Sequence, residues 1–328
     1  MNASVLAISG QGRIRRQIRR ALASAGWRVR AEPPDLARID AALTDDYDML
    51  IVDLEPTNEE DNDAFQALTD RICASKQRAV LVLSNDPQAS ATSTLLRTDG
   101  FNNLVARRGG LSTSEDLIDE GELIVTCQKL LRDDIFGLEK YMSTWGIAFR
   151  ERSLTRSTDK SEALAELEGF LAEIDCHLGI IPAITQVADE LLMNAVYNAP
   201  RDAQRQPKYA RLDRRQLIEL SAEETVRFRY GCDGRYVGLS VSDQFGSLDR
   251  EVIAHYLERC FAGKPATIED KLGGAGIGLH VIFSSITQLT FNIAPDQRTE
   301  AIAMFYVREG ARAFRAPGRS LNIFVVGN

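Results

Sequence analysis

The feature that most constrains the fold is an alternation of short apolar runs with amphipathic stretches through residues 1–112. "SVLAI", "WRVRAE", "DMLIVDL", "AVLVLS" and "NNLVAR" are rich in β-branched and aliphatic residues and too short for helices. Between them lie helical patterns: Ile14, Ile18, Ala21, Leu22 and Ala25 share one face, and Leu36, Ile39 and Leu43 another, with further helices expected over 61–74 and 89–98. Continuous apolar strands alternating with helices predict a doubly wound, five-stranded parallel sheet covered on both faces.

Strand signals fade from Glu115 to about Ile174, where Leu117, Leu123, Ile124, Cys127, Leu130 and Leu131 make a helical stripe. Residues 113–174 therefore read as a helical connector or dimerisation segment, and a homodimer is a reasonable expectation. Residues 175–328 read as α+β: helices first, then mainly antiparallel strands, with "CDGR" as a hairpin turn because Asp-Gly readily adopts positive φ.

The 328 residues carry a formal net charge of −8, with 44% hydrophobic and 26% charged side chains, an ordinary globular balance. The acidic balance argues against nonspecific nucleic-acid binding, and the Arg13, Arg15, Arg16, Arg19, Arg20 cluster reads as a solvated helix face. No apolar run approaches the ~20 residues of a membrane span and no signal peptide is visible, so a cytoplasmic location without membrane contact is expected. Five scattered cysteines without a C-x-x-C pair point to neither a zinc site nor a disulfide framework.

Three elements in order carry the chemistry of the second half: "DELLMNAVYNAP" on a helix, "VSDQFG" ending a strand, and "GGAGIGLHVI" entering a helix. Glu190, Asn194 and Asn198 recur at helical spacing, a polar row in an otherwise apolar helix. Gly273, Gly274, Gly276 and Gly278 let backbone amides approach phosphate oxygens, and no strand-like run precedes them as a Rossmann turn requires. No G-x-x-x-x-G-K-[ST] is present, which excludes a P-loop ATPase.

Together these elements resemble the nucleotide boxes of the Bergerat-fold ATPases, the superfamily of gyrase, MutL, histidine kinases and the anti-sigma serine kinases, over about residues 175–310. The resemblance implies ATP and Mg²⁺ as ligands, with Asn194 holding the metal and Glu190 as the base. It also implies that Asp243 accepts from the adenine amino group, that Gly246 allows close approach, and that the glycine run lies against the phosphates. Asn198 stands where many members carry a histidine, lysine or arginine. Of the three histidines, His255 and His280 do not look like phosphoacceptors. His177 in "HLGIIP" lacks an acidic neighbour and lies too close to Asn194 for a dimerisation domain to intervene. The implied activity is a serine/threonine-type protein kinase acting in trans, the alternative a noncatalytic ATP-sensing adaptor in a two-component pathway, and a histidine kinase the third reading.

Residues 1–112 resemble the receiver domains of response regulators. Asp53 ends the third strand where the phosphoaccepting aspartate lies, Ser84 stands for the switch hydroxyl, and Arg107 replaces the usual lysine. The acidic pair expected after the first strand is Ser9 and Gly10, and Pro56 is shifted by one residue. Without those carboxylates to hold Mg²⁺, phosphorylation should be severely weakened, leaving a pseudo-receiver with Asp53 as a vestigial phosphoacceptor and signalling proteins as partners.

Overall fold

A computed structural model describes residues 3–53, 70–71, 78–83, 101–109, 116–142, 146–214, 216–253, 282, 285–308 and 318–326. The chain forms two compact units, Met1–Ile135 with Pro317–Phe324, and Phe136–Ala316 with Val325–Asn328.

The N-terminal unit is built on β1 (Ser4–Ser9), β2 (Arg28–Glu32), β3 (Met49–Asp53), β4 (Arg78–Leu83) and β5 (Phe101–Gly109). They lie in the order β2-β1-β3-β4-β5, every pair parallel. Period-two alternation sends side chains to two faces. Val5, Ala7, Met49, Ile51 and Val105 pack with Ile14, Ile18 and Leu22 of α1 (Gly12–Ser24), whereas Leu6, Ile8, Leu50, Val52 and Leu104 pack with Ile39 and Ala42 of α2 (Leu36–Leu43). Both faces are covered, so the inner strands β1 and β3 are apolar at nearly every position, whereas β2 carries Arg28, Arg30 and Glu32. The 2-1-3-4-5 order is that of flavodoxin-like folds, the class to which receiver domains belong. The helices expected over 61–74 and 89–98 lie essentially outside the described residues.

Two sequence expectations change here. The stretch 113–174 is not a free-standing helical connector. Its first part forms β6 (Asp116–Ile118), antiparallel to β5, and α3 (Glu120–Arg132), whose Leu123 and Cys127 complete the core beside α1. The stripe proposed for dimerisation is thus used inside the unit. Helix α3 is well bounded: Asp119 accepts from the Glu122 amide at 3.1 Å, acidic residues occupy its first turn and basic ones its last, and Asp133 closes it in the left-handed region. The second change concerns β12 (Ser320–Val325), expected with the ATPase-like half. It runs antiparallel to β5, Leu321 facing Leu104 and Asn322 facing Asn103, and covers an edge that would otherwise expose unpaired backbone groups.

The C-terminal unit contains an antiparallel sheet, β10 (Gln288–Ala294), β11 (Arg298–Tyr306), β9 (Tyr236–Asp243), β8 (Val226–Cys232) and β7 (Arg150–Leu154), in that order. The Asp-Gly hairpin joins β8 to β9 as expected: Gly234 has φ +82, and Asp233 accepts from the amides of Arg235 and Tyr236 at 2.9 and 2.7 Å. Strand β7 gave no sequence signal because "RERSL" is mostly charged. It is an edge strand with Arg150 and Glu151 exposed and Arg152 half-buried. Helices α4 (Asp159–Glu173) and α5 (Ile181–Met193) pack together and against this sheet, Phe170 meeting Tyr230 with ring centroids 5.2 Å apart. On the other face Leu138 and Met142 pack on Ile302 and Met304.

Candidate functional site

In the C-terminal unit a cavity of about 350 Å³ lies against the sheet, at the size expected of a small-ligand site. Strand register lays its floor. Ala301 of β11 faces Val241 of β9 and Phe291 of β10, and all three line the cavity, while Thr299 faces Asp243 one pleat further on. The intervening Glu300 points to the opposite face, into a buried cluster where it accepts from Ser240 Oγ, the Gly137 amide and Asn292 Nδ2 at 2.8, 2.8 and 3.0 Å.

The helical wall comes from the end of α5. Pro182 starts that helix at a position where its missing N–H costs nothing, and Ile184, Val187, Ala188, Leu191 and Leu192 bury its apolar face. At Asn194–Asn198 the chain widens into a π-turn, closed by the Ala199 amide donating to the Asn194 carbonyl at 3.0 Å. Such bulges are frequent at functional sites because they displace side chains from the α-helical rows. Asn194 and Asn198 both line the cavity, and Asn198 Nδ2 donates to Asn194 Oδ1 at 2.9 Å. Asn198 Oδ1 is buried without a protein partner, as is Thr299 Oγ1. Two unsatisfied polar atoms in one concave site are a cost that a bound ligand can relieve.

Asp243, 7% exposed, is the central acid. Burial raises its carboxyl to about 6, against the pull of backbone amides at Phe245, Gly246 and Thr299 and of the Arg201 charge. Arg201 lines the same cavity, donating to the Asn198 carbonyl at 3.0 Å. Burial lowers its own affinity for its proton. Gly246 is required as such: φ is +57, and a Cβ there would lie 2.0 Å from the Ala294 carbonyl oxygen. It borders a second, neighbouring cavity of about 580 Å³.

The structure thus brings Asn194, Asn198 and Asp243 to one cavity, with Gly246 shaping the turn after Asp243. Glu190 is half-buried one turn before Asn194 and is not among the lining residues; burial and Asp189 raise its carboxyl, opposed by Arg214 and Lys160. Gly273, Gly274, Gly276, Gly278, His255 and His280 lie outside the described residues, as do Pro56 and Ser84. His177 is exposed between α4 and α5 and accepts from the Gly179 amide at 3.0 Å, away from the cavity. Sequence reasoning missed Thr299 and Arg201, since neither belongs to a motif and only strand register and loop closure bring them to Asp243. Among the described residues no cluster of three His, Cys, Asp or Glu could hold a metal alone. Asn194 offers a neutral oxygen, which fits a Mg²⁺ ion whose other ligands are phosphate and water.

In the N-terminal unit Asp53, 3% exposed, accepts from Ser9 Oγ at 2.6 Å and pairs with Arg107, Nε to Oδ1 3.5 Å, which is itself fully buried. Ser9 thus puts a hydroxyl where the resembled family has a metal-binding carboxylate.

No family model matches the chain. No curated protein sequence matches it. Among solved structures it is similar over 40% of its length to a chemotaxis response regulator of Vibrio cholerae, covering 100% of that chain at 16% identity and TM-score 0.31. A response regulator of Burkholderia multivorans matches over 40%, covering 95% of that chain at 21% identity and TM-score 0.30. The response regulator RcsB, solved with DNA, matches over 56%, covering 87% of that chain at 16% identity and TM-score 0.31. The receiver-like character of the N-terminal unit stands on its strand order and the placement of Asp53. No helix among the described residues is long and apolar enough to cross a membrane.

Proposed function

We propose that the C-terminal unit binds Mg·ATP in the cavity between α5 and the sheet, and that the protein is a signalling protein kinase acting in trans under a pseudo-receiver. The observation that carries this reading is the convergence of Asn194 and Asn198 with Asp243, about 45 residues on, on one cavity that also holds the unpartnered Thr299 hydroxyl. In its ionised form Asp243 is an acceptor for an exocyclic amine, and Thr299 Oγ1 beside it can complete the edge of a purine. Mg²⁺ would be held by Asn194 and the nucleotide's own phosphates, where it offsets their charge. Burial and Asp189 hold the Glu190 carboxyl above the ordinary carboxylate range, which makes its ionised form a stronger acceptor for the proton of a hydroxyl nucleophile.

That Glu190 does not line the cavity favours a second reading, a noncatalytic adaptor in which ATP sets a conformation read by a partner. Calorimetry with Mg·ATP on wild type, Asn194→Ala and Asp243→Ala tests the shared premise. Micromolar binding lost in both variants is expected, and no binding by wild type removes both readings. Glu190→Ala then separates them: a kinase loses phosphoryl transfer while keeping nucleotide, whereas an adaptor signals unchanged.

A further inference from the structure

Past the π-turn the chain stays at the cavity. Pro200 and Arg201 open a loop whose backbone closes on itself: the Lys208 amide donates to the Pro200 carbonyl and the Asp202 amide to the Gln206 carbonyl, each at 2.9 Å, and Arg201 bridges to Pro207. This closure fixes the backbone of Arg201 and leaves the residue on the wall shared by the two cavities, where Ser247, Leu248 and Asp249 also stand.

The charge of Arg201 is not balanced there. Its guanidinium donates to the carbonyls of Asn198 and Ser247 at 3.0 and 3.5 Å, and among the described residues no carboxylate makes an ion pair with it. Asp243 acts on it only from beyond contact. The neighbouring cations of the loop are already matched, Arg205 with Asp296 at 2.8 Å and Lys208 with Glu224. The helical wall offers the neutral amides of Asn194 and Asn198, so Arg201 is the one cation among the residues lining the first cavity. Two carbonyls satisfy hydrogen bonds but not charge, and a half-buried cation without a counter-ion favours an anion at close range. Two of the five N–H donors of the guanidinium are engaged, and the others are free to form a charge-assisted fork with phosphate or carboxylate oxygens.

We infer that Arg201 is the anion contact of this site, that it binds the phosphate chain of the nucleotide, and that it makes the cavity select phosphorylated over unphosphorylated ligands. Asp243, deeply buried, and Arg201, on the shared wall, then give the site a polarity: an amine end goes to the acid and an anionic end to the cation. The identity of the anion as a nucleotide phosphate rests on the nucleotide reading, whereas the demand for an anion does not.

The test is calorimetry with the full chain and Mg²⁺, in which ATP and adenosine are titrated into wild type, Arg201→Gln and Arg201→Lys. Glutamine keeps a donor for the Asn198 carbonyl and removes the charge, and lysine keeps the charge and removes the fork. Wild type should bind ATP more tightly than adenosine. Arg201→Gln should weaken ATP about tenfold or more and leave adenosine within about twofold, and Arg201→Lys should restore part of the loss. A residue that only holds the loop together would weaken both ligands alike, and that result overturns the inference. So does ATP binding indifferent to Arg201→Gln, or a wild type that binds adenosine as tightly as ATP, although both leave the cavity as a nucleoside site. A wild type that binds neither ligand removes the nucleotide reading. Inorganic triphosphate then decides the anion contact by itself: binding lost in Arg201→Gln supports it, and no binding refutes it.

Discussion

Asp53 and Arg107 face one another as a buried ion pair, 3% and 0% exposed, with Ser9 donating a hydroxyl to the second carboxylate oxygen at 2.6 Å. At the position where a receiver accepts phosphate, one carboxylate oxygen thus accepts a hydrogen bond and the other faces a buried guanidinium 3.5 Å away. Incubation with acetyl phosphate and Mg²⁺ is therefore expected to leave the protein unmodified by intact mass. Asp53→Ala should instead destabilise the N-terminal unit by about 3 kcal/mol in urea unfolding, because it removes a carboxylate that faces a buried guanidinium. A phosphorylated wild type would refute the assignment.

Asp243 ties stability to pH. Its carboxyl titrates at about 6 in the fold against an ordinary 3.8, so the fold favours the protonated form. The associated stabilisation is complete below the ordinary value and is lost as pH rises through 6. Asp243→Asn, which keeps an acceptor for the Phe245 amide, should match wild type near pH 4 and exceed it by up to about 3 kcal/mol at pH 8. Nucleotide binding should run the other way, wild type weakening about tenfold per pH unit below 6 as the acceptor is lost.

Ala301 tests the cavity floor. A leucine there projects between Phe291 and Val241 into space that is empty in the free protein. Ala301→Leu should cost less than about 1 kcal/mol in thermal unfolding yet reduce Mg·ATP affinity at least about tenfold, measured by calorimetry.

Glu300 is a load on the opposite face. Glu300→Ala removes the acceptor of Ser240 Oγ and of the Gly137 amide, and one acceptor of Asn292, and should destabilise the C-terminal unit by about 3 kcal/mol. Hydrogen exchange should quicken first around Leu138–Tyr141, while Glu300→Gln, still able to accept, should show the smaller effect.

Both sheets were largely legible in the sequence because their strands are buried on two faces or alternate cleanly, and either pattern is local. Strand β7 was not, since a charged edge strand has no burial signature and is recognised only by pairing with β8. The resemblance of their motifs already assigned Asn194, Asn198 and Asp243 to one site, whereas Thr299 carries no motif at all. It becomes a site residue because the register of β9 and β11 sets it opposite Asp243.

What the amino-acid order determined by itself is periodicity: the βα alternation of the first unit, the Asp-Gly hairpin, the apolar face of α5 and the absence of a receiver's acidic pair beside Asp53. These follow from interactions within a few residues of each other. Tertiary structure decided where distant segments close. It placed α3 in the first core rather than between units and set β12 on the edge of β5. It also set Asp53 against Ser9 and Arg107, and left Thr299 Oγ1 and Asn198 Oδ1 buried without a protein partner. Those outcomes depend on which surfaces remain to be covered once local structure has formed, a quantity that no short window of sequence contains.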